Sequence, residues 1–285
     1  MSPVVIVSGL LSGALYALVG LGISLVFGVL RIMNLAHGLF VIGGAYIASL
    51  AIRYVDADPL VVLPLSMLAM AVIAYPLQRF LLTDLAQVNP AAPLVATFGF
   101  ALVGEATLQA GFGIDPQSLA APYATAGVTI LGVRVQAVYL VAAALSTVLC
   151  VATHAILTWT RAGMAVRAAS ADPVTASLLG IDVDRVFAAT FAGSAALAAA
   201  AGVMVGTAQS FTPSAGTSLL LIGFAVMALG GIGSVGGVLV AGLALGLFQS
   251  IAVSAFGGGW RNFVVYAVFF LALAARPNGL FRRAS

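Results

Sequence analysis

One run of the sequence restricts the fold more than any other: from Val186 to Trp260 no residue is Asp, Glu, Lys or Arg. The hydrocarbon of a bilayer, about 30 Å thick, needs roughly 20 apolar residues per helical crossing, so this run has room for about three. Strands of a membrane barrel alternate in hydrophobicity, whereas residues 195–201 are six alanines and one leucine. The run therefore predicts membrane-spanning helices.

The composition extends this prediction to the whole chain. Hydrophobic residues make up 62% and charged residues 7% of the sequence, against about 45–50% and about 25% in soluble domains. A water-soluble fold could not cover so much apolar surface. We therefore expect an all-α polytopic membrane protein in which residues 1–285 form a single transmembrane domain, its first apolar run being retained as a membrane helix.

Charges, prolines and glycines divide the apolar runs into eight or nine predicted crossings. The segment Ser218–Leu229 is short enough to be a half-helix, so broken helices are part of the prediction. The predicted helices are Val4–Leu30, Leu35–Ile52, Leu60–Phe80, Pro93–Phe112, Gln136–Trp159, Val186–Ala208, Ser218–Leu229, Val235–Phe256 and Asn262–Ala275.

The arginines predict the orientation, since cytoplasmic loops carry an excess of positive charge. Three lie in Thr160–Arg185 and three in the tail, as Arg276, Arg282 and Arg283. Both segments are therefore expected in the cytoplasm, together with the Arg79–Pro90 loop, and Gly113–Arg134 is expected outside. The sequence has no lysine and its arginines are scattered, which argues against a nucleic-acid surface.

Two features inside the apolar regions are candidates for a functional site. Asn34, His37 and Gly38 lie between two strongly apolar runs with no hydrophilic loop around them. They form either a pathway-lining segment, since polar groups at depth usually face a cavity, or a tight cytoplasmic turn. Glu105 is the only glutamate and lies within a predicted span, where it is either functional or a hydrogen-bonded packing residue.

A short helix is predicted in the cytoplasmic loop of residues 160–185. Asp172 before Pro173 is typical of an N-cap followed by proline at the first helical position, and Gly180 is a typical helix stop. Leu178, Leu179 and Ile181 would leave an apolar edge exposed, which suits docking on a partner protein. The alternative is a plain loop on the membrane face.

No catalytic or metal-binding pattern is present in the sequence. The glycine-rich segment Leu229–Gly237 lacks the lysine that a phosphate-binding loop requires, so it predicts a flexible break between helices. His37 and His154 are the only histidines and Cys150 the only cysteine, too few for a metal site built from these residues. We therefore expect no enzymatic activity and no cofactor in this chain.

Five segments in order resemble the permease subunits of branched-chain amino acid ABC importers. They are Gly9–Leu18, Asn34–Gly38, Arg161–Val186, Gly230–Ser234 and Arg276–Leu280. The resemblance implies a bacterial cytoplasmic-membrane complex of two permeases, two ATPases that use ATP and Mg, and an external substrate-binding protein. It also implies that Asn34–Gly38 interrupts a helix near the translocation path. The coupling residues it implies, which dock on the ATPase, are Asp172, Ala176, Leu178, Leu179, Gly180, Ile181 and Asp182.

The sequence leaves alternatives open for the substrate and for the class of membrane protein. Members of this family often carry an acidic residue after the His-Gly pair, but Leu39 stands there, so urea, short amides or aromatic acids remain alternatives to hydrophobic amino acids. An ion-coupled secondary transporter is the rival from another class. It would need intramembrane carboxylates and an inverted repeat, and the two halves of the sequence show no convincing repeat. A membrane scaffold, the third class, would not need broken polar segments.

Overall fold

The computed structural model of the protein describes residues 3–130 and 132–275, which are mostly helical. Seven of the described helical stretches are long and apolar enough to cross a membrane, namely Pro3–Leu30, His37–Val55, Pro59–Val88, Ala92–Phe112, Ala137–Trp159, Val183–Ala208 and Val235–Phe256. In chain order the helices are α1 (Pro3–Leu30), α2 (His37–Val55), α3 (Pro59–Pro76), α4 (Thr83–Val88), α5 (Ala92–Phe112), α6 (Pro122–Thr125), α7 (Ala137–Trp159), α8 (Arg161–Ala171), α9 (Pro173–Leu178), α10 (Val183–Ala208), α11 (Ala215–Gly230), α12 (Val235–Phe256) and α13 (Trp260–Ala275).

Eight or nine crossings were predicted, but seven of the described helical stretches are long enough to cross a membrane, because α11 and α13 have only 16 residues each. The predicted helices themselves are present, with boundaries shifted by a few residues. The exception is the third helix, which continues past Phe80 through a π-helical turn, Leu77–Leu82, into α4. The predicted half-helix is α11, with 16 residues. The predicted cytoplasmic arginines of the tail lie outside the described residues.

A small β-hairpin, which the sequence analysis did not predict, lies between α6 and α7. Strands β1 (Gly127–Ile130) and β2 (Val133–Gln136) pair antiparallel, with Gly127 opposite Gln136. Gly132 in the connecting turn has a φ of +78°, a left-handed conformation that glycine adopts without steric cost. Valine, threonine and isoleucine in β1 favour an extended chain locally, although the surrounding sequence is helical.

Ion pairs join the π-helical turn after α3 to the start of α10. Arg79 Nη1 lies 3.0 Å from Asp184 Oδ2 and 3.7 Å from Asp182 Oδ1. The segment of Arg79, which is helical as far as Val88 where a loop was predicted, therefore lies at the same end of the bundle as α8 and α9, in agreement with the arginine distribution. We refer to it as the α9 end.

Glycines allow the central helices to approach closely. A Cβ atom on Gly13 of α1 would lie 2.5 Å from the carbonyl oxygen of Gly242 in α12, and one on Gly202 of α10 would meet the backbone of Val41 in α2. Membrane helices pack well where small residues bring their backbones together. Gly242 and Gly246 of α12 likewise lie against α1, at Ala17 and Gly13, whereas Gly206 of α10 lies against Leu119 and Phe211, which are outside the helices.

Two helices, α2 and α11, begin inside the bundle. His37, the first residue of α2, contacts Val19 in the middle of α1, and Gly38 contacts Gly216 at the start of α11. From this meeting point the helices diverge. Tyr46 of α2 packs on Phe211, with ring centroids 5.1 Å apart, whereas α11 ends at the turn whose Gly233 contacts Gly28 near the end of α1.

The helices α1–α2–α3 and α10–α11–α12 form an inverted pair of three-helix units. The connection from the end of α1 at Leu30 to the start of α2 at His37 has the same length as the connection from the end of α10 at Ala208 to the start of α11 at Ala215. Helix α1 packs against α12 and α11, and α10 packs correspondingly against α3 and α2. The two halves, between which the sequence shows no convincing repeat, therefore correspond in the order and the contacts of these helices.

Candidate functional site

The chain is extended between α1 and α2, in the segment predicted to interrupt a helix. Arg31 is exposed and has a φ of 56°, and this left-handed conformation ends α1 as a C-cap residue does. From Arg31 the chain runs back into the bundle, so that Asn34 is 6% and His37 only 1% exposed. The segment is therefore more than a surface turn.

Asn34 organises the end of the extended segment. Its Oδ1 accepts a hydrogen bond of 3.0 Å from the backbone N–H of Ala36, while its Nδ2 has no partner among the described residues. The next residue, Leu35, donates its backbone N–H to Thr97 Oγ1 of α5 at 3.2 Å. Asn34 thus fixes the turn into α2, and Thr97 attaches that turn to α5.

His37 connects the start of α2 to the middle of α1. Its Nε2 lies 3.1 Å from the carbonyl oxygen of Val19, and because a carbonyl only accepts, Nε2 must carry the proton. A Cβ on Gly22 would lie 2.6 Å from the His37 ring, so glycine is needed there. His37 therefore holds the start of α2 against α1, and it does not line the cavity described below.

The first turns of α2 and α11, like those of α5 and α7, have no side-chain cap. Ala36 cannot cap α2, and Ser214 does not cap α11, whereas Asp58 and Ser234 cap α3 and α12. Backbone N–H groups in the first turn of a helix need partners, and they carry the positive end of the helix dipole. Two such ends meet in the interior of the bundle.

Glu105 of α5 faces this meeting point. It is half-buried, and its Oε1 accepts a hydrogen bond of 3.1 Å from Gln109 Nε2. Together with both helix starts it encloses a cavity of about 30 Å³, room for about one water molecule. The residues lining this central cavity are Leu35, Gly38, Leu39, Ala101, Glu105, Pro213, Gly216, Thr217 and Leu220.

The structure thus divides the four path candidates into two groups. Gly38 and Glu105 line the central cavity, while Asn34 and His37 hold the start of α2 in place. Sequence reasoning missed Gly216 and Thr217, although Pro213 and Gly216 before an apolar run are a detectable sign of a second break.

The short helix predicted after Asp172 is present as α9. Asp172 Oδ1 accepts hydrogen bonds from the backbone N–H groups of Val174 (3.0 Å) and Thr175 (3.2 Å). Gly180 has a φ of +84°, and Ile181 N–H bonds back to the carbonyl of Ala176 at 3.1 Å, which closes the helix in a Schellman-type turn.

The two ends of α9 differ in their charge and exposure. Hydrogen bonds from the hydroxyl and backbone N–H of Thr175 lower the pKa of the Asp172 carboxyl below its usual value. Leu178 and Leu179 are 81% and 76% exposed, while Ala176 is buried against the rest of the protein. Asp182 is occupied by Arg79 and Arg185, so it holds the segment in place.

The chain is similar to known proteins along nearly its whole length. The family model for the permease component of the branched-chain amino acid transport system matches residues 5–273. The permease protein BraD of the high-affinity branched-chain amino acid transport system of Pseudomonas aeruginosa is 28% identical over 293 residues, covering 98% of this chain and 95% of BraD.

Two further relatives carry the same description. LivH of Escherichia coli K12, also a high-affinity branched-chain amino acid permease protein, is 28% identical over 97% of this chain and 94% of its own. A probable LivH of Methanocaldococcus jannaschii is 26% identical over 88% of this chain and 82% of its own. No solved structure matches the chain.

Proposed function

Because this chain belongs to the family of permease subunits of branched-chain amino acid ABC importers, we propose that it forms part of a translocation path for hydrophobic amino acids. The observation that carries this proposal is the central cavity, where two uncapped helix starts meet Glu105. We propose that a substrate passes there.

The chemistry of the central cavity suits a zwitterion with an apolar side chain. Helix N-termini bind carboxylates through their free N–H groups and their dipole, as broken helices do in membrane transporters. Glu105 supplies a negative charge for an ammonium group, and Leu39 and Leu220 offer an apolar surface. A sugar would need many more hydrogen bonds than these residues provide.

The central cavity is too small for an amino acid, which implies that the path is closed in this conformation. A volume of about 30 Å³ compares with about 300 Å³ or more for typical ligand sites. Transport then requires α5 or the two helix starts to move apart. We propose that ATP hydrolysis in separate subunits drives this movement.

The proposed partners follow from the surfaces at the two ends of the bundle. The exposed Leu178 and Leu179 of α9 would dock on one of two ATPase subunits, which hold ATP and Mg. A second permease and an external substrate-binding protein would complete the importer. The arginines of residues 160–185 support an orientation with the α9 end in the cytoplasm of a bacterial cell.

Two alternatives to this proposal are another substrate on the same scaffold and an ion-coupled carrier, and different observations bear on each. Urea, short amides or aromatic acids could use the same scaffold, and the apolar Leu39 leaves that choice to the external binding protein. The inverted helix units are also found in ion-coupled carriers, so the repeat does not argue against that class. The exposed docking edge of α9 and the family favour an ATP-driven importer.

Uptake by the reconstituted importer tests the role of Glu105. Glu105→Gln keeps the shape and the hydrogen-bonding ability of the side chain but removes its charge, and we expect leucine uptake to fall at least tenfold. The affinity of the binding protein for leucine should not change. Asp115→Asn, which removes a carboxylate from the exposed loop after α5, is the matched control; equal uptake by both variants would refute the assignment.

Co-purification tests the class of transporter. Extraction of the tagged chain from native membranes should also recover ATPase subunits. Leucine uptake that proceeds without ATPase subunits and depends on a proton or sodium gradient would favour the ion-coupled alternative.

A further inference from the structure

A second polar cavity lies at the α9 end of the bundle, distinct from the central cavity. It has a volume of about 130 Å³ and lies between α1, α8 and the turn before α12. Its polar side chains are Ser24, Arg167 and Ser170. None of these residues has a part in the proposed path, so the cavity needs an explanation of its own.

Ser24 is a buried hydroxyl group without a partner. It is 1% exposed, its Oγ has no hydrogen bond among the described residues, and it lines this second cavity. Leaving a buried hydroxyl unpaired costs free energy, and nearly all buried polar groups in proteins have a partner. A hydrogen-bond acceptor bound in the cavity would satisfy it.

Arg167 supplies a positive charge at the same cavity. It is half-buried and donates from Nη1 to the carbonyl oxygen of Leu157 near the end of α7. A guanidinium has five N–H donors, so most remain available. Within the described ranges no carboxylate lies within 4.0 Å of this guanidinium, and the charge therefore suits an anionic ligand.

Two apolar grooves adjoin this second cavity on either side of α7. One, of about 410 Å³, shares Leu157, Gly233 and Val235 with it. The other, of about 360 Å³, shares Leu25, Leu157 and Val166. The second cavity, with its three polar side chains, lies between two apolar grooves, and this arrangement matches a ligand with one polar head and two hydrocarbon tails.

We infer that the second cavity and its grooves bind an anionic diacyl phospholipid, with the phosphate at Arg167, an ester carbonyl at Ser24 and one acyl chain in each groove. Ser24 lies about 9 Å deeper along α1 than its end at Leu30, which is the order of phosphate and ester in a leaflet. Basic cavities between membrane helices are known to hold anionic head groups.

The position of Arg167 gives the lipid a structural consequence. Helix α8 carries Arg167 and leads directly to Asp172 and α9. A phosphate bound to Arg167 would fix α8 against α1 and α7, and through α8 it would fix the helix proposed to dock on the ATPase. Anionic lipid is therefore expected to increase coupled ATP hydrolysis by the complete importer.

Native mass spectrometry of the purified chain measures the binding directly. Dioleoyl phosphatidylglycerol should bind more tightly than dioleoyl phosphatidylcholine, and Arg167→Gln should reduce that preference about fivefold, the value of one arginine near an anionic head group. Arg161→Gln is the matched control, because Arg161 is an exposed arginine on the same helix. Glycerol 3-phosphate, which has the head but no tails, should not compete.

Three outcomes would overturn the inference. They are an unchanged lipid preference in Arg167→Gln, an equal loss in Arg161→Gln, and full displacement of the lipid by glycerol 3-phosphate. If Arg167→Gln fails to fold, Ser24→Ala tests the same site through the proposed contact of the Ser24 hydroxyl with the lipid ester. Phosphatidylglycerol should raise the unfolding temperature of the parent more than that of Ser24→Ala, and equal shifts would exclude the site. Because binding is measured on the single chain, these results do not depend on the transport activity.

Discussion

Replacing Gly38 by alanine should separate the two helix starts at the centre of the protein. The added Cβ would lie 2.7 Å from the carbonyl carbon of Gly216, whereas carbon atoms in contact lie about 3.5–4.0 Å apart. The obstacle is backbone and not the end of a flexible side chain. The starts of α2 and α11 would therefore have to move apart by roughly 1 Å.

The expected cost follows from two opposing effects. Overpacking a close contact costs about 1–3 kcal/mol, and exchanging glycine for alanine in a helix returns at most about 1 kcal/mol. The net change is a loss of up to about 3 kcal/mol of stability, together with reduced uptake because the N–H groups at the central cavity are displaced. Gly216→Ala, whose Cβ would lie 2.9 Å from the Gly38 oxygen, should have the same effect.

Thermal unfolding of the purified protein in detergent measures the stability loss. Gly43→Ala is the control on the same helix, because its Cβ would meet only the flexible end of Met70, 3.0 Å away. The unfolding temperature should fall by a few degrees for Gly38→Ala and stay constant or rise for Gly43→Ala. If Gly38→Ala unfolds and transports like the parent, the close meeting of α2 and α11 is not required.

The other predictions concern α9 and the turn before α2. Replacing Leu178 and Leu179 with Asp should leave the membrane fold intact, since both are exposed, but should abolish ATPase co-purification through a docking loss of more than about 2 kcal/mol; normal co-purification would show that the segment is only a loop. Asp172→Ala should speed amide hydrogen exchange at the start of α9. Because hydrogen bonds lower the Asp172 pKa, its cap is fully present above the unfolded-state value of about 3.9 and is lost as the pH falls through the lower folded value; unchanged exchange in Asp172→Ala would contradict the cap. Replacing Asn34 and His37 with Ala should impair uptake without altering the binding protein's affinity for leucine, because both hold the start of α2 in place; uptake equal to the parent's would show that transport does not need these contacts.

The sequence by itself determined the features that depend only on residues close together along the chain. Membrane helices follow from long apolar runs, because each crossing must satisfy its own backbone hydrogen bonds. The capped start of α9 follows from Asp172 and Pro173, and its end follows from Gly180, since these signals act within a few positions. The resemblance to the permease family rests on motifs that are likewise short and ordered along the chain.

Only the tertiary structure decided which distant residues meet. Gly38 and Gly216 contact each other, and Glu105 reaches their meeting point from a third helix. Ser24 and Arg167 share a cavity in the same way. Apolar periodicity could not predict these contacts, because in lipid every face of a helix can be apolar and packing is decided by close backbone fit. The correspondence between the two three-helix units was hidden for the same reason, because it lies in which helices pack together.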